Sequence, residues 1–449
     1  MKDIISYITY ITNENIQGRD TLKYYKLLGK LQRYSSDELE SWQFEKLKNL
    51  LIHAYRYVDY YKETFDKIYF NPLESKNLED LQKVPVLTKE CIRNCQEKFI
   101  SKDKKRKLTR YATSGSTGHP LIFYMSSERI AANKAAYLIL YNWWELKIGD
   151  REVVLWSSSR DLTAYNFAKK IRDRLLNTRL LPAFQMSEDT LYKYIKFLQD
   201  YKPKDVFGYA HSIYILARFA KNRSLMLNNL GIKVVFTTAE LLHDYQRQLI
   251  EEVFGCSVCN CYGGRDSGLI AFECPKKNMH LNPSIYTEFV KDGKQVKPGE
   301  IGDIVITDLD SYGMPFLRYK TGDQGILSEE ANCPCGRNFP IVKQILGRDT
   351  DYVVGPKGEF IHPLALEYVF RELEGIDYFR IVQKKEDELV VDLVINYRFD
   401  KTLEPIIKEK LNQAMGGPVN TTLNYIKENE IPAQNKYKFV ISEIINKYK

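Results

Sequence analysis

The sequence predicts an α/β protein of two domains, a large N-terminal domain of layered sheets and helices and a small α+β C-terminal domain. Three observations predict it. At 449 residues the chain is long for one domain and comfortable for two. From about 108 to 320 it alternates buried-strand and helix signals, the pattern of α/β layers. The last hundred residues carry a different rhythm of strand, charged turn, strand and helix. The boundary is expected at 347/348, giving domains 1–347 and 348–449.

Residues 1–100 form a mainly helical lead-in. Leu47, Leu50, Leu51, Ala54, Tyr57, Val58 and Tyr61 recur at helical spacing and make one apolar stripe. Pro85-Val-Leu-Thr88 breaks that pattern. A buried helix is expected at about 130–146, where Asn133, Lys134, Asn142 and Glu145 argue against a membrane span. Residues 152–157 and 234–238 read as buried strands, and 191–201, 214–219 and 244–254 as helices. Pro298-Gly299 turns the chain into a strand at 304–307, and 318–323 closes the region. In the small domain, strands at 379–383 and 389–395 flank the charged turn 384–387. A helix near 402–414 and a strand near 420–426 follow.

Composition sets limits on function. The chain is 44% hydrophobic and 28% charged, enough for a folded core. The net charge of 66 − 58 = +8 is modest and gathers at 102–107 and the C-terminus. That suits an anionic small ligand better than nucleic acid, which wants a denser basic stripe. Met1-Lys-Asp-Ile-Ile-Ser opens no signal peptide, so the cytoplasm is the expected compartment. In such a chain eight cysteines suggest reduced thiols or metal ligands before disulfides.

The first chemical motif is Thr113-Ser114-Gly115-Ser116-Thr117-Gly118, between a basic run and an apolar run. Glycine lets backbone N–H groups approach a bulky anion, and Ser/Thr hydroxyls add adjustable donors. The stretch reads as a triphosphate cradle or as a Ser/Gly surface turn. It lacks the Gly-Lys-Ser/Thr ending of a Walker loop. Further motifs follow in order: Thr237-Thr-Ala-Glu240, Tyr262-Gly263-Gly264-Arg265-Asp266, Tyr319-Lys-Thr-Gly-Asp323, Gly347-Arg348 with Asp351, and Ile431-Pro-Ala-Gln-Asn-Lys436.

In that order and spacing they resemble the adenylate-forming superfamily of acyl-CoA synthetases, peptide-synthetase adenylation domains and luciferases. The closer likeness is to the phenylacetate–CoA ligase branch, including relatives connected with capsular polysaccharide biosynthesis. Residues 262–274, 314–323, 333–337 and 436–442 carry it. The resemblance spans about 40–449. It implies ATP, Mg²⁺ and coenzyme A as partners of a carboxylic acid. Thr113 to Gly118 would hold the phosphates. Tyr262 to Asp266 would cradle adenine and place a carboxylate near magnesium, with Asp266 where the family has Glu. Asp323 would bind the ribose hydroxyls. Arg348 would reach the nucleotide just before the hinge, where Thr350 replaces the usual Asp or Lys. Lys436 would be the catalytic lysine of a mobile small domain, with Asn435 replacing the usual Gly and Lys438 as its rival. Phe207 to Ser212, with Tyr209 and His211, and the segment ending in Glu240 would line the acyl pocket or fill core.

Cys274, His280, Cys333 and Cys335 offer three sulfurs and an imidazole, a common structural zinc set. Some relatives in the branch share these positions; cysteines in packed turns are the other reading. Cys256, Cys259 and Cys261 read as small residues on a buried strand.

The expected function is ATP-dependent carboxylate–CoA ligation with release of AMP. The alternatives are acyl transfer to an amine or sugar in cell-surface polysaccharide assembly, or a weakened nucleotide-binding homologue.

Overall fold

The computed structural model describes residues 2–113, 121–156, 167–183, 188–348, 353–356, 360–361, 366, 369–370, 373–427, 430 and 440–444. It separates into two units. The first comprises Met1–Thr113, Leu121–Thr321 and Gly325–Ile345, and Leu346–Lys449 makes up most of the second.

The lead-in is helical: α1 (Lys2–Ile16), α2 (Thr21–Leu31), α3 (Ser36–Tyr57), α4 (Asp59–Lys67) and the short α5 (Lys89–Asn94). Ser35 caps α3 in a capping box, accepting from the Glu38 N–H while the Glu38 carboxylate accepts from the Ser35 N–H. The α3 stripe turns inward, with Leu47, Leu50, Leu51 and Ala54 buried and continued by Val58 and Tyr61; Tyr57 points out. These residues share a core with Phe289, Ile304, Ile306 and Phe316 of the sheet region.

A hairpin of β1 (Leu108–Ala112) and β2 (Ile122–Ser126) leads into α6 (Ser127–Trp143), which is largely buried as expected. The alternation follows: β3 (Glu152–Leu155), α7 (Phe167–Leu175), β4 (Thr178–Leu181), α8 (Glu188–Tyr201), β5 (Asp205–Tyr209), α9 (Ala210–Asn222), β6 (Val234–Thr238), α10 (Asp244–Phe254) and β7 (Ser257–Gly264). The chain then runs through β8 (Gly268–Glu273), β9 (Met279–Leu281), β10 (Ile285–Lys291), β11 (Lys294–Gln295), β12 (Ile301–Asp308), β13 (Tyr319–Leu327) and β14 (Ile341–Arg348).

Twelve of these strands form one sheet in the order β11-β10-β12-β13-β14-β9-β8-β7-β6-β5-β3-β4. The run from β4 to β7 is parallel, whereas β7 and β8 pair antiparallel, so β7 is the seam between the two halves. The 318–323 stretch does not close a region: Tyr319 to Asp323 open β13. Gly322, at φ +92°, supplied the turn signal from inside a strand.

In the second unit β15 (Val353–Val354) pairs with β16 (Phe360–Ile361). A four-stranded sheet has the order β19-β18-β17-β20, with β17 (Ile376–Lys385), β18 (Glu388–Ile395), β19 (Asn420–Tyr425) and β20 (Val440–Ser442). The helix α11 (Glu404–Ala414) packs Ile407 and Leu411 onto it.

Two buried carboxyl groups meet on the parallel half. Glu152 of β3 lies in register with Asp205 of β5. Tyr141 and Thr178 donate to Glu152 at 2.5 and 2.9 Å, while Asp205 Oδ2 is buried without a partner. Burial, then the neighbouring Glu152 charge, pushes the Asp205 carboxyl well above the usual range. A carboxyl whose pKa rises on folding lends stability below its unfolded pKa and loses it as pH climbs through the folded value. Asp205→Asn is therefore expected to flatten the loss of stability with rising pH. At mildly alkaline pH it should add about 1–3 kcal/mol over the parent in urea unfolding.

Candidate functional site

In a parallel sheet, ligands bind outside the carboxyl ends of the strands. Here β5 ends at Tyr209 and β6 at Thr238, side by side in register, while β7 pairs with β6 as far as Asn260 and runs on to Gly264. Trp156, just past β3, stacks on Tyr209 with ring centroids 4.2 Å apart. Beyond β6, Ala239 adopts φ +66°, a conformation costly for a residue with a Cβ, and Glu240 follows half-buried. Such local strain gathers where a side chain must be aimed. The His211 side chain lies outside the described residues.

The Tyr262 to Asp266 motif occupies the β7–β8 hairpin. Gly263 is required there, because a Cβ would sit 2.2 Å from the Gly268 carbonyl oxygen. Asn133 of α6 accepts the Leu269 N–H at 2.9 Å and fixes the hairpin to the helix. Arg265 donates to the Ala112 carbonyl at 3.1 Å, bringing the hairpin against the end of β1. There Thr113 N–H donates to the Leu121 carbonyl, and the Thr113 hydroxyl accepts from the Leu121 N–H at 2.9 Å. Thr113 thus fastens the two ends of the Ser/Thr/Gly stretch. Ser114, Gly115, Ser116, Thr117 and Gly118 lie outside the described residues.

Asp266 is buried and held on two sides. The Tyr319 hydroxyl donates to its Oδ2 at 2.5 Å, and Lys89 Nζ stands 3.5 Å from the same oxygen. The sequence reading missed Lys89, which the broken segment before α5 delivers. Leu87 and Tyr319 form a parallel bridge, with Leu87 N–H donating to the Arg318 carbonyl. Thr88 then caps α5, whose first residue is Lys89. Burial and the Asp266 charge raise the Tyr319 phenol far above its ordinary range, so it stays a donor.

Arg129 of α6 was also missed. It is 2% exposed, pairs with Asp308 at 2.8 Å, donates to the Asp266 carbonyl and lies over the rings of Phe123 and Phe316. Arg318 is equally buried, paired with Glu288 at 3.0 Å and donating to the Gln82, Val84 and Gly293 carbonyls. On the far side of the motif, the Tyr262 hydroxyl lies 3.4 Å from Thr321 Oγ1. Asp323 follows in β13, half-buried. Arg348 ends β14, but its side chain lies outside the described residues, as does the whole of Lys436.

A second cluster lies apart from these residues in the same unit. Cys274 follows β8, His280 sits in β9, and Cys333 and Cys335 precede β14. Their four ligand atoms lie within 4.8 Å of one another. Cys274 Sγ is 3.7 Å from Cys333 Sγ, and Cys335 Sγ is 3.5 Å from His280 Nε2. Tetrahedral zinc, with bonds of about 2.3 Å to sulfur and about 2.0 Å to nitrogen, demands edges of about 3.8 and 3.5 Å. His280 is fully buried, not solvent-facing, and its Nδ1 lies 2.8 Å from the Phe339 carbonyl oxygen. That bond fixes the tautomer that leaves the Nε2 lone pair toward the sulfurs. Burial lowers the His280 pKa and keeps the ring neutral, as a ligand must be. Burial raises the Cys274 thiol to about 12. At Cys333 burial works the same way but is outweighed by donors, first the Asn278 amide and then the Cys335 N–H, which pull the thiol down. Cys259 and Cys261 face the same side of β7, buried, as expected.

The CapK C-terminal domain family matches residues 353–443. Protein CapK of Staphylococcus aureus is 27% identical over 445 residues, covering 96% of this chain and 94% of its own. The phenylacetate-coenzyme A ligase of Thermus thermophilus is 24% identical, with 80% of this chain and 81% of that one aligned. A crystal structure of 2-hydroxyisobutyryl-CoA ligase in complex with 2-HIB-AMP shares the fold, with a TM-score of 0.69, 21% identity and coverage of 94% and 93%. Similarity to Protein CapK along almost the whole chain and to a phenylacetate-coenzyme A ligase along most of it, on this fold and with these motifs in this order, supports the resemblance to the adenylate-forming superfamily and to its phenylacetate–CoA ligase and CapK branch.

Proposed function

We propose that the chain activates a carboxylic acid with ATP and passes the acyl group to coenzyme A, as an AMP-forming carboxylate–CoA ligase. One observation supports it above the rest. The adenine hairpin is tied to elements far from it in sequence: Tyr319 of β13 donates to Asp266, Thr321 of β13 lies beside Tyr262, and Arg265 reaches Ala112 at the end of β1.

In this reading the acid's carboxylate oxygen attacks the α-phosphorus and pyrophosphate leaves. The thiol sulfur then attacks the acyl carbon, AMP departs and the thiol proton goes to solvent. Charge builds on the phosphate in the first step, and groups fixed beforehand offset it best. Thr113 to Gly118 supply N–H and hydroxyl donors, Asp323 the ribose acceptor, and Lys436 with Arg348 positive charge. Tyr262 and the glycines 263 and 264 shape the adenine slot; Tyr209, Trp156 and Glu240 line the acid's side. Asp266 suits magnesium by charge, and magnesium bound there supplies charge neutralisation at the phosphates. Tyr319 and Lys89 hold its Oδ2 and so fix the carboxylate that would face the ion. The domain division at 347/348 lets the small domain withdraw Lys436 before the thiol step. Cys274, His280, Cys333 and Cys335 hold a structural zinc, a role their closed tetrahedral spacing and buried setting favour.

ATP–pyrophosphate exchange with a panel of aryl, aliphatic and amino acids tests the first step. Some carboxylate should stimulate exchange, and Lys436→Ala should cut it by about 10²–10³-fold with the fold kept. Exchange that no carboxylate stimulates would refute the reading, and loss in Lys438→Ala instead would move the lysine. The length-wide likeness to CapK favours a second reading for the acceptor alone, an amine or sugar in cell-surface polysaccharide assembly. Thioester formation from free coenzyme A separates the two.

A further inference from the structure

One stripe of α6 turns a polar residue toward the sheet at every fourth position: Arg129, Asn133, Tyr137 and Tyr141. Three of them have partners there. Arg129 pairs with Asp308 and donates to the Asp266 carbonyl, Asn133 accepts the Leu269 N–H, and Tyr141 donates to Glu152 at 2.5 Å. Among the described residues the Tyr137 hydroxyl has no hydrogen-bond partner. Nor is it sealed in protein, because Tyr137 is only half-buried. Burial, and after it the nearby Cys261 thiol, raise the phenol far above its ordinary range. It therefore stays a neutral hydroxyl, able both to donate and to accept.

Aromatic rings stand around it. Tyr137 meets Phe207 of β5 edge-on, with centroids 6.1 Å apart. Phe207 packs into the core that α6 covers, and Tyr209, two residues further toward the carboxyl end of β5, falls on the same face. Trp156 stacks on Tyr209 and leans on Phe207 at 6.1 Å. All three rings are half-buried, so flat apolar surface stays uncovered beside the Tyr137 hydroxyl. Asn133, which anchors the hairpin carrying Asp266, lies one turn along α6 from Tyr137. That step is about 6 Å along the helix axis, the reach of one aromatic ring.

We propose that the acid activated here is an aromatic acid with a hydroxyl on the ring edge remote from its carboxylate, and that the Tyr137 hydroxyl selects it by hydrogen bonding to that group. The inference rests on the adenylation reading and names its substrate class. With the carboxylate beside the hairpin, the ring lies along Trp156, Tyr209 and Phe207, and its polar tip arrives at Tyr137. A plain hydrocarbon ring would displace water from the phenol and give nothing in return, which is how a polar site rejects an apolar analogue.

ATP–pyrophosphate exchange on the full chain tests it, with phenylacetate, benzoate and the meta- and para-hydroxy derivatives of each. A hydroxylated acid should give a kcat/KM at least about tenfold above its unsubstituted parent. Tyr137→Phe should shrink that ratio to about one, chiefly by raising KM for the hydroxylated acid. The variant should unfold in urea at the parent's midpoint, because no described partner loses a bond. Exchange that ignores the ring hydroxyl, that keeps its preference in Tyr137→Phe, or that only non-aromatic acids stimulate overturns this inference and leaves the adenylation reading standing. A variant that unfolds early, or loses all acids alike, assigns the hydroxyl to the fold and overturns it too. Exchange with no acid of any kind defeats the adenylation reading itself, and this inference with it.

Discussion

Cys333→Ser is expected to release zinc and to destabilise the larger unit by on the order of 3 to 5 kcal/mol. Cys333 is where the donors converge, with Asn278 and the Cys335 N–H both directed at its sulfur. Serine keeps the shape and loses the soft ligand. Cys274 and His280 stay buried and Cys335 half-buried around a weaker site, and Cys274 and Cys333 sit in the core that includes Trp143, Phe272 and Phe339. Metal analysis should give one zinc per parent chain and far less in the variant. Chelator should lower the parent's unfolding midpoint and leave that of Cys333→Ser nearly unchanged. Metal well below one per chain in carefully handled parent protein would remove zinc from the account.

Arg129→Met carries the other large effect. Methionine replaces the stem but strands Asp308, whose carboxylate lost its water to pair with the guanidinium. Breaking one side of a buried pair costs about 3–5 kcal/mol, mostly from the charge left behind. Adding Asp308→Asn should recover a good part of that loss in urea unfolding. Recovery shows that the stranded carboxylate was the cause, because the pair couples as contacting residues do. The Asp266 backbone also loses its donor, so nucleotide affinity should fall in both variants even where stability returns. A single variant as stable as the parent would contradict the burial argument.

Much of the architecture was legible in the sequence because its elements obey local rules. The strands at 152–155 and 234–238 contain the apolar runs 153–155 and 234–236, the helix at 244–254 is strongly amphipathic, and the charged stretch 384–387 marks the hairpin between two strands, although Lys384 and Lys385 still belong to β17 and only 386–387 turn. The cysteine cluster was legible by residue type, since four good ligands flank one region. What failed locally failed where a turn residue serves another purpose: Gly322 lies in a strand. What failed non-locally concerns Asp266. Its partners Tyr319, Lys89 and Arg129 come from three other elements, and only tertiary packing selects them from the chain's 66 basic side chains and 32 tyrosines.

The bond from Arg265 to Ala112 spans 153 positions, and that from Arg129 to Asp266 spans 137. Contacts of such separation form late, after long stretches of chain have given up their freedom. No fragment short of the assembled sheet and its β1–β2 hairpin brings these residues together. If nucleotide binds beside Asp266 as proposed, its occupancy and the integrity of the sheet would be one equilibrium, and it would stabilise strands that it never touches.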